Sequence, residues 1–402
     1  MTTLHSLGEG TVGEAVAAAV TARNTSDWIA FRDLIRAITS ADMPAHHDQV
    51  GLYGGLPAVA FALRLSGRFE HSRTLTALDA KIGTTIEARL TETEKRLAAG
   101  RPPRMREYDL IRGLTGFGAI LLCSPRPGPL LDDVLRYLVR LTAEPITVAG
   151  STLPGWWTTD GPTGEPETAF PHGHINLGLA HGVSGPLALL ALAILQGHEV
   201  SGQAAAVHAT ATTLADAARP LVGSTDVLGW QAITRPSEWG RRSVVKVERP
   251  SWCYGTPGIT RAIQLAAIAT NDPVQQRWAE SVMADSLCDA AHLALFTDST
   301  VCHGWAGAYL IAAHAAADAE PDSRLHPIAT TLADRIDPNR ATTVSGLLTG
   351  AAGIRLAQHD HYTRTGHPHR APNDDNAASN SSAWIEAWRA CLLLDTPGNH
   401  QR

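Results

Sequence analysis

Six times along this chain a tight glycine turn opens an alanine-rich apolar run, and that repetition limits the fold more than any other feature. The copies read GGLPAVAFAL from Gly54, RGLTGFGAILL from Arg112, HGVSGPLALLALA from His181, YGTPGITRAIQLAA from Tyr254, HGWAGAYLIAAHAA from His303 and TGAAGIRLAQ from Thr349. The turns fall at about 54–58, 113–116, 182–185, 255–258, 304–307 and 350–353. Their glycines Gly55, Gly113, Gly182, Gly255, Gly304 and Gly350 are 58, 69, 73, 49 and 46 residues apart, the scale of a repeated helical hairpin with variable connections. Each run is apolar on nearly every face, as an inner helix is. Segments between them, such as 89–100 and 204–218, are polar on one side and suit an outer layer. Six buried helices inside six amphipathic ones predict an all-α fold, an (α/α)6 toroid or double-layered α/α barrel, as one domain over 1–402. All six turns then share one end of the inner ring, where a pocket is expected.

Residues 11–40 carry apolar positions at helical spacing (Val12, Ala15, Val16, Ala19, Val20, then Trp28, Ile29, Phe31, Leu34, Ile35), expected as outer-layer helices. Two insertions break the rhythm, at about 145–175 and 220–250. Both are rich in Gly, Pro, Thr and Trp and are expected as irregular loops with short strands at the pocket rim. Trp156, Trp157 and Trp239 there either meet a peptide or pin the loop to the core. The stretch 358–382 is polar, with His359, His361, His367 and His369 close together, and reads as a solvated loop or a second metal site.

Composition narrows the partners. With 44% hydrophobic and 18% charged residues the chain reads as a helical protein with a large core. A net charge of −6 and no basic run exclude nucleic acid as the main partner. The N-terminus lacks a basic and apolar signal, and the apolar run at 187–195 is too short to span a bilayer, so a cytoplasmic protein is expected. Five cysteines do not make a disulfide framework. Cys123, Cys288 and Cys391 are expected as packing residues.

Reactive groups concentrate at the second to fifth turns. Asp109 lies four residues before Gly113, His181 precedes Gly182, Cys253 and Tyr254 precede Gly255, and Cys302 and His303 precede Gly304. Two thiolates and an imidazole suit zinc with the fourth tetrahedral position left open for a substrate. Adjacent ligands such as Cys302 and His303 diverge by about 100° on a helix and about 180° on a strand, so both reach one ion only at a turn or helix start. Buried cysteines and a core histidine would give the same letters through packing alone. Functional groups at equivalent positions of successive repeats favour a shared active site.

SWCYGTPG (251–258), CHGWAG (302–307), NLGLAHGVSG (176–185) and YDLIRGLTG (108–116), in this setting of repeated turns, resemble the lanthionine synthetase C-like proteins, the LanC cyclases of class I lanthipeptide biosynthesis. The resemblance covers about 51–356. It implies a cytoplasmic enzyme with one zinc ion per chain, which closes thioether rings in a dehydrated precursor peptide by adding cysteine thiols to dehydroalanine or dehydrobutyrine. Cys253, Cys302 and His303 match the family's zinc ligands, His181 its A-H-G histidine, Asp109 its aspartate, and Arg249 the arginine four residues before the first zinc cysteine. Pro250 stands where an acidic residue is common. A lanthipeptide dehydratase and a transporter are the implied protein partners, with membrane association only through such a complex.

That chemistry has its own demands. Zinc deprotonates a bound thiol, whose free pKa is about 8.5. Attack at the β-carbon leaves an enolate that needs a cationic or hydrogen-bonding group and then a general acid. Arg249 is assigned the first role and His181 the second, with Asp109 orienting His181 and Tyr254 beside them in the site. The competing classes are a zinc hydrolase, for which no H-E-x-x-H and no carboxylate base near the ligands is evident; a glycosidase, which needs two carboxylates; and a non-catalytic module that binds zinc with glutathione or a partner.

Overall fold

A computed structural model describes residues 3–44, 46, 49–124, 127–148, 151–224, 226–337, 344–365 and 387–395. The chain runs through α1 (Thr11–Thr25), α2 (Ile29–Thr39), α3 (Leu56–Ser66), α4 (Ser72–Ala98), the short α5 (Met105–Tyr108), α6 (Leu114–Leu122) and α7 (Pro129–Ala143). An insertion with β1 (Ile146–Val148), β2 (Ser151–Leu153) and β3 (Ile175–Asn176) leads into α8 (Ser184–Leu195) and α9 (Gln203–Asp216). A second insertion, with β4 (Arg219–Pro220), β5 (Leu228–Gly229) and β6 (Ile233–Thr234), precedes α10 (Thr256–Ala269), α11 (Pro273–Cys288), α12 (Ala290–Leu293), α13 (Trp305–Ala317), α14 (Leu325–Ala333) and α15 (Ala351–Arg364).

The six expected turns each open an inner helix: α3, α6, α8, α10, α13 and α15. Their alanine-rich sequences let neighbouring axes approach closely, and each helix packs on the next around the ring. The outer partners α4, α7, α9, α11 and α14 bury one face each. The expectation of two outer helices in 11–40 holds for α2, which buries Phe31 and Ile38 and leaves Ile29 60% exposed. It fails for α1. Val12, Ala15, Val16 and Ala19 are fully buried, and α1 packs between α15 and α3, closing the ring from inside. Gly10-Thr-Val-Gly13 is therefore a further copy of the turn, its helix masked in sequence by threonine, glutamate and arginine in an otherwise small apolar run.

A belt of backbone hydrogen bonds joins the turns. Leu7 N–H donates to Tyr53 O, Tyr53 to Ile111, Leu110 to Ala180, Ala180 to Cys253, Cys253 to Cys302, Cys302 to Leu348 and Leu348 back to Gly8, at 2.8 to 3.3 Å and all in one sense. In every turn but that of α3, where Ala58 stands, the second glycine lies against a backbone carbonyl. A Cβ on Gly307 would lie 1.9 Å from Val301 O, and one on Gly353 1.9 Å from Leu347 O. The carbonyl six residues back meets Gly13, Gly116, Gly185 and Gly258 in the same way, at 2.2 to 2.7 Å. The glycines thus serve close backbone approach rather than left-handed conformation.

The C-terminal turn of 3₁₀ helix Ala387–Leu392 fills the ring from within. Trp388, Arg389, Cys391, Leu392 and Leu394 are at most 2% exposed. Tyr53 Oη donates to Cys391 O (2.6 Å), Trp252 Nε1 to Leu392 O (3.0 Å) and Arg261 Nη2 to Leu394 O (2.7 Å), so opposite sides of the ring hold the segment. Its Arg389 pairs with the fully buried Asp360 of α15, which also accepts from Arg364 Nε (2.9 Å) and Tyr309 Oη (2.8 Å). Buried charges survive only when paired and hydrogen-bonded in this manner.

The two insertions contain short strands, as expected. β1 pairs antiparallel with β2 and β4 with β5, and β3 with β6 ties the insertions to each other. Trp156 and Trp157 are 3% and 5% exposed, so they pin the lobe, whereas Trp239 is half-buried. Cavities of about 630 Å³ and 340 Å³ flank this lobe, and Trp239 borders both. Helix α15 carries His359 and His361 past the expected loop start at 358, while His367 and His369 lie outside the described residues. Cys123 and Cys391 are buried as packing residues, but Cys288 at the end of α11 is exposed. No helix among the described residues is long and apolar enough to cross a membrane.

Candidate metal centre and acid couple

Cys253 and Cys302 sit in adjacent turns of the belt, joined directly by Cys253 N–H to Cys302 O at 3.3 Å. Cys302 and His303 point to one place because they precede the extended N-cap Gly304 and the first turn of α13, the helix-start geometry that adjacent ligands demand. The candidate ligand atoms of Cys253, Cys302 and His303 all lie within 4.8 Å of one another. Cys253 is buried, while Cys302 and His303 are partly exposed.

Hydrogen bonding from Cys302, offset by burial and helped by His303 and by Ser251 Oγ at 3.6 Å, holds the Cys253 thiol well below its ordinary value. The same contact pushes Cys302 up, with burial adding to it. His303 is raised, chiefly by its hydrogen bond with Cys253. Two cysteine sulfurs and an imidazole converging within 4.8 Å are the donor set of a soft metal site, and zinc fits it.

His181 enters from the next turn of the belt. Leu179 and Ala180 N–H both donate to Cys253 O, at 2.9 and 3.2 Å, and the His181 ring stacks on Tyr254 with centroids 6.1 Å apart. Behind it, Asp109 Oδ2 lies 2.6 Å from His181 Nδ1. Asp109 Oδ1 accepts from Arg112 N and Gly113 N, both at 2.7 Å, so the 1% exposed carboxylate is held at the start of α6. His181 remains 28% exposed. Burial pushes the Tyr254 phenol up, which keeps it neutral.

Arg249 reaches the other side of the centre. Its Nη1 is 4.0 Å from Asp298 Oδ2, and that oxygen is 3.6 Å from His303 Nε2. A carboxylate near the ligands, absent from the sequence reading, is therefore present. Burial raises Asp298, but hydrogen bonds from Thr300 and the charges of His303 and Arg249 outweigh it and hold the carboxyl below its ordinary value. The signal was four residues upstream in DSTVCHG, yet nothing local says which way that side chain turns. With Pro250 beside it in sequence, Arg249 has Asp298 as its carboxylate in space. All seven sequence-nominated residues thus belong to neighbouring turns of one rim, with the described cavities lying apart around the lobe.

A closed helical toroid with two thiols and an imidazole at one rim, flanked by an Asp–His couple and an arginine, defines a class of helical proteins whose rim could hold a metal ion. The chain belongs to the lanthionine synthetase C-like protein family, which it matches over residues 5–368. Its structure is similar to that of nisin cyclase, with a TM-score of 0.74 at 18% identity over 98% of this chain and 93% of the other. Among curated protein sequences none matches.

Proposed function

We propose that this protein is a zinc-dependent lanthipeptide cyclase, which forms lanthionine and methyllanthionine rings by intramolecular addition of cysteine thiols to dehydroalanine and dehydrobutyrine. The observation that carries the reading is the meeting, on one rim, of the three-ligand cluster and the His181–Asp109 couple from different repeats. Cys253, Cys302 and His303 would hold the ion. When bound, zinc supplies Lewis acidity that ionises a substrate thiol near neutral pH.

The remaining work falls to this chain's own groups. As the C–S bond forms at the β-carbon, the electron pair of the double bond moves toward the amide carbonyl, and the Arg249 guanidinium faces that developing charge. The His181 ring, turned by Asp109 through Nδ1, presents Nε2 to deliver the proton to the α-carbon. Tyr254 stacks on that ring and limits its rotation. The product is an isomer of the substrate, so no leaving group is required. The dehydrated precursor is the substrate in this reading, and a dehydratase that makes it is the natural protein partner, with a transporter as a further one. A hydrolase would need a free carboxylate at the open position, whereas Asp298 is engaged by Thr300, His303 and Arg249.

The test is ring closure on a dehydrated Cys-containing precursor. Zinc-loaded protein should consume free thiols, read by alkylation and mass spectrometry, without changing the peptide mass. Full alkylation after prolonged incubation with zinc-loaded, folded protein would sink the cyclase reading.

A further inference from the structure

We propose that Asp298 is a positioning residue that couples the metal centre to Arg249. The inference rests on the cyclase reading above and adds to it a group that neither the repeat pattern nor the ligand spacing nominated.

Asp298 is built into the turn that carries two of the ligands. Its Oδ1 accepts from Thr300 N at 2.8 Å and Thr300 Oγ1 at 2.6 Å, and its own carbonyl accepts from Trp305 N at 3.2 Å at the start of α13. Gly304 makes room for it, since a Cβ there would lie 2.3 Å from Oδ1. The carboxylate therefore has one fixed orientation, with Oδ2 turned toward His303 Nε2 at 3.6 Å and Arg249 Nη1 at 4.0 Å. At 24% side-chain exposure it is partly shielded from water, so its charge is felt by both neighbours.

Two consequences follow from general chemistry. An imidazole beside a fixed carboxylate is held in ring orientation by that charge and made a better donor. A guanidinium paired loosely at 4.0 Å keeps its other N–H groups free for an incoming anion while losing freedom to swing away. One carboxylate oxygen thus sets the posture of a ligand and of the group that meets the developing charge, and links the two halves of the site.

Asp298→Asn is the mild test, because the amide oxygen can keep both Thr300 hydrogen bonds while the charge is lost. Zinc affinity measured by competition with a chromophoric chelator should fall by about 10–100-fold. The visible absorption of the cobalt-substituted protein should shift as the His303 ring relaxes. At saturating zinc, thiol consumption should remain slower than wild type, and the defect should be less than additive with Arg249→Gln, since both act through one guanidinium. Thr300→Val, which removes the Oγ1 hydrogen bond and keeps the backbone one, loosens the carboxylate without removing it and should move zinc affinity the same way by less, and it serves if Asp298→Asn does not fold. Unchanged affinity and cobalt spectrum in a folded variant would overturn the proposal while leaving the cyclase reading intact. A wild-type protein that binds no zinc would instead overturn both.

Discussion

Asp109→Asn isolates the acid couple. The carboxylate accepts two backbone hydrogen bonds at Oδ1, both at 2.7 Å, and faces His181 Nδ1 through Oδ2 at 2.6 Å. An asparagine oxygen keeps the backbone pair, which leaves the amide N–H₂ facing His181. Nδ1 must then accept instead of donate, which fixes the ring by a different hydrogen bond from the one the carboxylate makes. A hydrogen bond to a charged group contributes about 1.5–3 kcal/mol net, and this partner is almost fully buried, so the upper half of that range is expected. At 1.36 kcal/mol per decade, the ring-closure rate should fall about 50–150-fold. The assay counts free thiols by alkylation at matched zinc content, with helicity and melting temperature measured in parallel. Wild-type rates in the zinc-loaded variant would refute the couple, and a slow variant that had also lost zinc or helicity would show the carboxylate to be structural only.

Three further outcomes follow from particular contacts. Cys253→Ala or Cys302→Ala should lower zinc from about one per chain to a small fraction by elemental analysis, while the apolar inner ring keeps the helical signal and a cooperative melt. Gly307→Ala places a Cβ against Val301 O and should cost about 1–3 kcal/mol by urea unfolding, whereas Gly197→Ala, with a φ of 82° and nothing within 4 Å, should cost only the left-handed strain of about 1 kcal/mol. Burial, then the charge of Arg364, pushes His314 down to about 4. The unfolded chain therefore takes up this proton first, near 6.5, and stability is lost as pH falls from about 6.5 to 4, by up to about 3 kcal/mol. His314→Gln should flatten that decline in melting temperature, and parallel curves for the two proteins would refute the assignment.

Two kinds of information were readable along the chain. Turns and inner helices were legible because their causes are local: a glycine six residues after a carbonyl that a Cβ would strike, and a run apolar on every face that only a buried helix tolerates. The candidate metal cluster was legible because Cys302 and His303 are adjacent at a helix start and Cys253 stands at the equivalent place one repeat earlier. Polar interruptions hid the inner layer of α1, and the tryptophan letters did not distinguish a lobe anchored by buried Trp156 and Trp157 from one that displays them.

Tertiary structure alone decided the partners. Asp109 and His181 are 72 residues apart and meet because Leu110 N–H docks on Ala180 O in the belt. Asp298 finds Arg249 across two turns, and the segment 387–395 finds the inside of the ring through Tyr53, Trp252, Arg261 and Asp360. Local sterics and hydrophobic periodicity act over a few residues and so are written in neighbouring letters. The choice of a buried charge's partner depends on which distant turn the closed ring brings within a few ångströms, and closure is a property of the packed helices together.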